Sequence, residues 1–457
     1  MSSTLTPGGV GRSFSVVTLG CAKNRVDSEG MATLLQQRGY AEHEEPDDAD
    51  VIIVNTCGFL GAARAESIET LQDLVDQRNP GQFIVAAGCL PALRDYSLDL
   101  PAGVDKVLTT REWFRIGDTV GDLFGEAPQP QLAGCDGLTT TFTHQHAGPS
   151  AYVKIADGCD HACAFCTIPT IKGGQQSKRP LHVIQEIVDL VALGSKEIVL
   201  VSQDTIRYGA DLGMKNGIAD LIDMIGEQVP NLPWLRLLYI YPNPIVLKMI
   251  DALARHEMAV NYIDMPLQHA HPAVLKRMLR PANLDLTRRI LDHARATLDD
   301  VVLRTTLITG FPGETDEEFE YLLDFLEEQQ FDHVGVFTYS PEPGTVAFDM
   351  ADPVPAEVAE ERRNAIMELQ QSISHEHNRA LEGVTMRVLV ESIGEVEDED
   401  GNTTPVSVGR AYRHAPEVDG LVFIDGEHPV GDFVDATIYA GTEYDLWATA
   451  APVIEVR

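Results

Sequence analysis

The chain has 457 residues, enough for two to four domains, and its hydrophobic fraction of 44% allows a sizeable core. Its 70 acidic and 34 basic residues give a formal net charge of −36. Such a surface would repel nucleic acid and attract a basic protein, although high solubility alone could also explain it. No apolar run could span a bilayer, and residues 1–14 lack the apolar segment of a signal peptide. We therefore expect a soluble, cytoplasmic protein without a membrane partner.

Residues 1–127 alternate short apolar strands with amphipathic helices. The strands are predicted at 14–20, 50–56 and 83–88, with helical patterns between them. This alternation is typical of a parallel sheet with helices on its faces, so we predict a Rossmann-like parallel α/β domain. Residues 128–147 are polar and lack periodicity, which predicts a linker.

Residues 148–382 resume the alternation over a longer stretch, which fits a partial or complete β/α barrel of the TIM-like kind. Within it, Thr315 and Glu318 match a capping box that starts a helix, and a charged helix is predicted at 356–381. Residues 383–457 are rich in Val, Thr, Gly and Asp, and their short strands predict a small β-barrel. The strands of the central barrel are predicted at 151–156, 197–202, 234–240, 261–266, 301–308 and 333–339.

Three cysteines, Cys159, Cys163 and Cys166, lie in the segment DGCDHACAFCTIP. The segment follows the first barrel strand, so it belongs to a loop at the C-terminal face, where such barrels hold their active sites. Reducing cytosol disfavours a disulfide framework, and a redox C-x2-C pair would leave Cys159 without a role. Three thiolates in one loop fit a 4Fe-4S cluster that keeps one iron free of protein ligands. A zinc site, which usually shows a second Cys or His pair, or a chance cluster is the alternative.

Three more cysteines, Cys21, Cys57 and Cys89, stand at the ends of the predicted strands of the first domain. In a parallel sheet all three would emerge at the same edge, where ligand sites form. They predict a second three-thiolate site, and the alternative is three unrelated buried cysteines. Cys135, in the predicted linker, belongs to neither set and is interpreted as a free thiol.

The loop motif C-x3-C-x2-C after the first barrel strand resembles that of the radical S-adenosylmethionine (SAM) superfamily. Together with TLGCAKNRVDSE, NTCGF, AAGCLP, MPLQHAHPAVLKRM and GFPGET, it is closely similar to the methylthiotransferase family. That family joins a cluster-binding domain (here 1–127), a radical SAM barrel (148–382) and a C-terminal TRAM domain (383–457). The resemblance implies an enzyme with two 4Fe-4S clusters and SAM as cofactors. It assigns the auxiliary cluster to Cys21, Cys57 and Cys89, and the radical-generating cluster to Cys159, Cys163 and Cys166.

The resemblance also suggests residues that contact SAM. Phe165, just before the last loop cysteine, would lie near the adenine. Ser202 and Gln203 follow the second barrel strand, and Arg304 lies in the fifth, so these are weaker candidates. Asp204 also follows the second strand, and Gln268 and His269 follow the fourth, so they are candidates on the same ground.

Two branches of the family compete for the substrate. The segments LGCAKNRVDSE and MPLQHAHPAVLKRMLRP look like the RimO branch, which modifies an aspartate of the small-subunit ribosomal protein S twelve (uS12). The branch that modifies adenosine in tRNA usually has Gln-Met-Asn after the first cysteine and Gln-Ser-Gly in the later segment. Charge gives an independent argument, because residues 383–457 carry 15 acidic against 4 basic residues, a net of −11. Such a domain binds RNA poorly and suits a basic ribosomal protein.

By resemblance, a 5′-deoxyadenosyl radical would take hydrogen from the β-carbon of the aspartate. Sulfur on or near the auxiliary cluster would then bond to that carbon, and a second SAM would supply the methyl group. The electron would come from a donor such as flavodoxin or ferredoxin. The alternatives are a tRNA adenosine methylthiotransferase and a non-catalytic iron–sulfur electron-transfer protein.

Overall fold

The structure is a computed structural model, and it describes residues 11–93, 100–128, 144, 147–397, 401 and 403–452. Cys135 and almost all of the predicted linker 128–147 lie outside these residues. The predictions of a linker and a free thiol therefore stay predictions, as do the precise domain boundaries.

The first domain is a parallel sheet with helices on its faces, as predicted. Its elements are β1 (Ser13–Thr18), α1 (Ala22–Gln37), β2 (Ala41–Glu42), β3 (Val51–Thr56), α2 (Gly61–Gln77), β4 (Phe83–Gly88), β5 (Lys106–Thr109) and α3 (Ile116–Leu123). The strand order β2-β1-β3-β4-β5 is one of the two common orders of doubly wound sheets. In this order the chain changes its winding direction between β1 and β3, and ligands bind such sheets at that point.

The central domain is an open barrel of parallel strands, as its alternating pattern predicts. Its elements are β6 (Ser150–Lys154), β7 (Ala156–Asp157), α4 (Ile168–Lys172), β8 (Gln176–Ser177), α5 (Pro180–Ala192), β9 (Glu197–Val201), α6 (Gly217–Gln228), β10 (Trp234–Leu237), α7 (Ile245–Leu253), β11 (Tyr262–Asp264), α8 (Pro272–Arg277), α9 (Leu284–Thr297), β12 (Val302–Thr309), α10 (Asp316–Gln329), β13 (His333–Thr338) and α11 (Ala356–Ala380). One half has the order β10-β9-β6 and the other β11-β12-β13, and a backbone bridge from Leu235 to Ala259 joins the halves. The predicted capping box of Thr315 and Glu318 begins α10.

The third domain is a closed β-barrel, also as predicted. Its strands are β14 (Thr385–Glu397), β15 (Thr403–Ala411), β16 (Val422–Asp425), β17 (Phe433–Gly441) and β18 (Leu446–Ala450). The barrel closes in the order β14-β15-β16-β18-β17. Closure leaves no free strand edge in this small domain.

The three domains share one buried apolar cluster, which runs from Val26 of α1 through Tyr152 of β6 to Leu389 of β14. Helix α1 packs along β6, at the side where the central barrel is open. The third domain packs at the N-terminal end of the barrel strands, where Arg410 donates to Glu197 at the start of β9 over 2.6 Å. The C-terminal ends of the barrel strands are therefore left to face the first domain.

Candidate cluster and cofactor site

The loop triad, defined as Cys159, Cys163 and Cys166, lies between β7 and α4 at the C-terminal mouth of the central barrel. The loop begins at Gly158, whose φ of 78° lies in the left-handed region. A Cβ at this position would collide with the carbonyl oxygen of Gly174, so only glycine allows the entry into the loop. The backbone amide of Cys166 then donates to the carbonyl of Cys163 over 3.1 Å, which folds the motif into a tight turn.

The strand-end triad, defined as Cys21, Cys57 and Cys89, lies at one edge of the first sheet. Cys57 and Cys89 directly follow β3 and β4, and Cys21 precedes α1, three residues after β1. The strands are parallel and in register, so these three ends lie side by side. Gly20 allows the close approach, because a Cβ there would lie 3.1 Å from the Cys57 sulfur. The strand-end triad therefore brackets the switch point of the sheet.

Both triads line a single cavity of about 330 Å³ between the first domain and the barrel mouth. The sequence predicted one triad at the strand ends of the first sheet and the other at the C-terminal face of the barrel. The structure shows that these two faces lie opposite one another. Other side chains on the cavity wall are those of Lys23, Asn24, Phe59, His161, Phe165, Lys172, Gln203, Tyr239, Tyr241, Gln268 and Arg280.

The thiols fit iron–sulfur clusters in number and in kind. Cysteine is the standard ligand of such clusters, and each triad offers three thiols to the same cavity. Among the described residues, no three Cys, His, Asp or Glu side chains group around one point tightly enough for a single metal ion. A 4Fe-4S cluster is a larger body than an ion, and its cysteine ligands stand further apart.

Burial sets the acidity of these thiols in the protein without metal. It raises the pKa of Cys159 to about 11 and those of Cys89 and Cys166 to about 12. Cys21 differs: burial opposes its ionisation, but the nearby Lys23 ammonium lowers its pKa below the usual value. The Cys21 side chain still has accessible surface, because it faces the cavity. Since iron binds the thiolate, loading the site releases protons.

A buried ionic cluster of two carboxylates and two ammonium groups lies beside the cavity. Lys154 contacts Asp27, while Asp157 lies 3.2 Å from Lys154 and 3.0 Å from Lys172. Although burial opposes ionisation of Asp157, the two ammonium groups hold the pKa of its carboxyl far below the usual value. Because Asp27 belongs to α1 and Lys154 to β6, the cluster fixes the first domain to the barrel. The Gln203 amide also donates to Asp157 over 3.0 Å, and its buried Oε1 atom has no hydrogen-bond partner in the described chain.

The predicted SAM contacts fall into two groups. Phe165 and Gln203 lie on the cavity wall. Ser202 is fully buried, with its hydroxyl 3.2 Å from Thr205 Oγ1, and does not line the cavity. Arg304 points toward the third domain, where it lies 3.3 Å from Asp419. SAM binding by any of these residues stays a prediction, and the cavity favours the first two.

The other three candidates also differ in whether they line the cavity. Gln268 lines the cavity, with a left-handed φ of 73°. Asp204 is buried and lies 2.7 Å from the His161 ring, so it orients that ring. His269 is fully buried and accepts from the backbone of His271 over 2.8 Å.

Sequence reasoning missed several polar and aromatic residues of the cavity. The Tyr241 ring stacks on His161 with centroids 3.7 Å apart, and the Arg280 guanidinium lies 4.4 Å from the Tyr241 centroid. Arg280 also approaches the Cys163 sulfur at 3.7 Å. Tyr241 follows β10, so its strand-end position could have indicated it. Lys23 and Lys172 lie in helices, and no sequence pattern separated them from other lysines.

Comparison with known proteins identifies the family. Three family models match the chain: Uncharacterized protein family UPF0004 over residues 13–108, the Radical SAM superfamily over 153–326 and the TRAM domain over 383–451. The ribosomal protein uS12 methylthiotransferase RimO of Roseiflexus sp. (strain RS-1) is 45% identical, covering 97% of this chain and 98% of the relative. The chain belongs to the RimO family. Its three-domain architecture and its class, radical SAM methylthiotransferase, are thus confirmed, and that class takes 4Fe-4S clusters and SAM.

Further RimO relatives agree. That of Chloroflexus aurantiacus is 43% identical over 96% of this chain and 99% of its own. That of Crocosphaera subtropica is 38% identical over 95% and 98%.

Solved structures agree on the fold. The radical SAM methyltransferase TsrM of Kitasatospora setae, solved with cobalamin and a [4Fe-4S] cluster, superposes with a TM-score of 0.54 at 13% identity. The match covers 85% of this chain and 78% of that one. In addition, none of the described helices of the RimO-family chain is long and apolar enough to cross a membrane.

Proposed function

We propose that this chain adds a methylthio group to the β-carbon of an aspartate in ribosomal protein uS12. The observation that carries the proposal is the single cavity whose walls hold both triads. When bound, the clusters and SAM supply the electron, the carbon radical, the sulfur and the methyl group. The protein's own task is to hold the two cysteine sets at a fixed separation and to keep water away from the space between them.

Direct contacts between the two cysteine-bearing segments support this task. Thr167, next to Cys166, donates its hydroxyl to the carbonyl of Phe59 over 3.2 Å, two residues after Cys57. The Lys172 ammonium, at the end of α4, also reaches Thr110 of the first domain at 3.0 Å. Hydrogen bonds therefore join the two cavity walls, in addition to packing.

The surface charge of the third domain favours a basic protein as the partner. Two of its basic side chains, Arg410 and Arg413, are buried against the central barrel, which leaves Arg387 as the exposed cation among the described residues. The outer surface is thus more acidic than the composition alone suggests. Its exposed carboxylates are those of Glu395, Glu397, Glu417, Asp425, Glu427, Asp432 and Asp435.

This charge favours uS12 over tRNA, because ribosomal proteins that contact RNA are basic and RNA would be repelled. The proposal includes no strong nucleic-acid binding and no membrane partner. It further includes a cytoplasmic location and an electron donor such as flavodoxin or ferredoxin.

The test is anaerobic incubation of the cluster-loaded protein with SAM, a reductant and either uS12 or tRNA. We expect uS12 to gain one methylthio group in place of one hydrogen, on an aspartate located by fragmentation. If only tRNA gains the group, the proposal is wrong. SAM cleavage without modification of either would also contradict it.

A further inference from the structure

Lys23 is a buried cation on the first-domain wall of the cavity. It lies in the first turn of α1, the residue is 7% exposed, and its Nζ lies 3.3 Å from the centre of the Tyr239 ring. In the part of the chain that the structure describes, no carboxylate forms an ion pair with it. Its ionisable thiol neighbour is Cys21, two residues away. A buried ammonium group without a carboxylate partner is costly, so this wall is suited to receive a further anion.

The other buried ammonium groups near the cavity are already neutralised. Lys154 and Lys172 share the carboxylates of Asp27 and Asp157, with two positive and two negative charges in contact. That cluster has no carboxylate left over for Lys23. No carboxylate of that cluster pairs with Lys23, so beside the Cys21 thiol its ammonium group can still bind a molecule that enters the cavity.

Arg280, another cation of the cavity, lies on a different wall. Its guanidinium donates to the Pro266 carbonyl over 2.5 Å and approaches the Cys163 sulfur at 3.7 Å. It thus lies against the loop triad, where the radical SAM motif places SAM. Lys23 lies two residues after Cys21, against the strand-end triad. An anion bound to Lys23 would sit on the sulfur-donating side.

The backbone of Tyr239 indicates that the fold holds its ring against Lys23. Tyr239 has a φ of 63°, a left-handed conformation that a bulky residue rarely adopts. Its amide donates to Asp264 over 2.9 Å and its carbonyl accepts from Thr205 over 3.2 Å, so the conformation is fixed from both sides. Strain of this kind gathers at ligand sites.

We propose that Lys23 binds the side-chain carboxylate of the target aspartate and so holds the neighbouring β-carbon between the two triads. This inference rests on the proposed function. An aspartate that enters the cavity loses its water shell, and a fixed ammonium group replaces that hydration with a charge-assisted hydrogen bond. An asparagine in its place would gain much less, so Lys23 would select for the acid.

The test uses the cluster-loaded protein under anaerobic conditions and measures binding of uS12 and of its Asp→Asn form at the target position. We expect the protein to bind the aspartate form roughly ten- to hundredfold more tightly, which is the range for hydrogen bonds to charged groups. Lys23→Met keeps the length and apolar stem of the side chain without its charge, and should bind both forms equally. Lys23→Arg should keep much of the preference. Lys215→Met, at an exposed lysine, is the matched control and should behave as the parent protein.

Iron content and SAM affinity, measured on the same samples, separate this role from support of a cofactor. We expect unchanged SAM affinity in Lys23→Met, and full iron content after loading with excess iron and sulfide, because iron itself displaces the Cys21 proton. If the parent protein does not distinguish the two forms, or if Lys23→Met keeps the full preference, the inference is wrong. It is also wrong if Lys23→Met loses iron or SAM while the preference survives. Failure of the parent protein to modify uS12 at all would instead refute the proposed function.

Discussion

The Arg64 guanidinium of the first domain lies 2.6 Å from the Glu342 carboxylate, which belongs to the loop after the last barrel strand. Both side chains are buried. The contact is one of charge, since Glu342 Oε2 gains no well-angled hydrogen bond from it. The other oxygen, Oε1, accepts from the Gly61 amide at 2.8 Å and from Ser340 at 2.7 Å. Glu342 therefore holds the N-terminus of α2, four residues after Cys57, against the barrel mouth.

Glu342→Gln should loosen the first domain from the barrel, because it removes the carboxylate charge that faces the buried Arg64 guanidinium across the domain contact. Breaking a buried pair costs about 3–5 kcal/mol, and here the cost falls on domain docking. We expect faster hydrogen exchange in the segment from Cys57 to Arg64 and a lower rate of methylthio transfer. Glu360→Gln breaks an exposed pair with Arg363 and is the control, which should change neither. Unaltered exchange in Glu342→Gln would contradict the assigned contact.

The two triads should be separable by substitution. Replacing the strand-end triad by alanines should remove about half of the iron and abolish methylthio transfer, while cleavage of SAM by the reduced protein continues. Replacing the loop triad should also remove about half of the iron but should abolish cleavage itself. Iron analysis and detection of 5′-deoxyadenosine distinguish the two variants, and each is the control for the other. Loss of cleavage in both would show that the triads do not act separately.

Glu197 should carry pH-dependent stability at the contact between the central barrel and the third domain. Its carboxylate lies 2.7 Å from Arg236 and 2.6 Å from Arg410. Although burial alone would raise it, these two guanidinium groups lower the pKa of Glu197 to about 2. Because its pKa is depressed in the folded state, ionised Glu197 stabilises the fold fully when the pH is above the unfolded-state pKa of 4.5. This stability is lost as the pH falls toward about 2.

Glu197→Gln should therefore destabilise the protein by about 3–5 kcal/mol at neutral pH, measured by urea unfolding. The difference from the parent protein should shrink between about pH 4.5 and pH 2. Glu328→Gln, which breaks an exposed pair with Arg288, should cause little change at any pH. A difference that stays constant over this pH range would exclude Glu197 as its source.

The acidic surface of the third domain should speed the encounter with uS12. Neutralising four of its exposed carboxylates should lower the association rate and weaken its dependence on salt, because long-range steering is screened by ions. Stopped-flow or surface-binding kinetics at two ionic strengths measure both effects. The four positions are Asp425, Glu427, Asp432 and Asp435.

A matched variant neutralises four exposed carboxylates of α10, on the outer face of the central barrel, and should have a smaller effect. An equal effect of both variants would show that net charge alone, and not this surface, attracts the partner. The four control positions are Glu317, Glu320, Asp324 and Glu327.

The sequence predicted the elements of the site better than the contacts between them. Strand ends are readable from short apolar runs, so the positions of Cys57 and Cys89 directly after β3 and β4 could be predicted. The capping box at Thr315 could also be predicted, because it depends only on residues three apart at the start of one helix.

The remaining features depend on contacts between distant segments. Arg304 lies near the start of the eight-residue strand β12 and so faces the third domain, whereas a residue near its end would face the cavity. Among the described residues no carboxylate forms an ion pair with Lys23, and no local sequence pattern predicts that. The two triads face one another because α1 packs on β6, which is again a contact between distant segments.

In the proposed function, one cavity brings the β-carbon of the target aspartate to the place where the carbon radical forms. The most direct measurement uses uS12 with deuterium on the β-carbons of its aspartates, incubated with the cluster-loaded protein, SAM and reductant. We expect deuterium to move into 5′-deoxyadenosine as the methylthio group appears on uS12. If uS12 is modified while the 5′-deoxyadenosine released from SAM carries no deuterium, the radical does not take hydrogen from the aspartate β-carbon and the proposal is wrong.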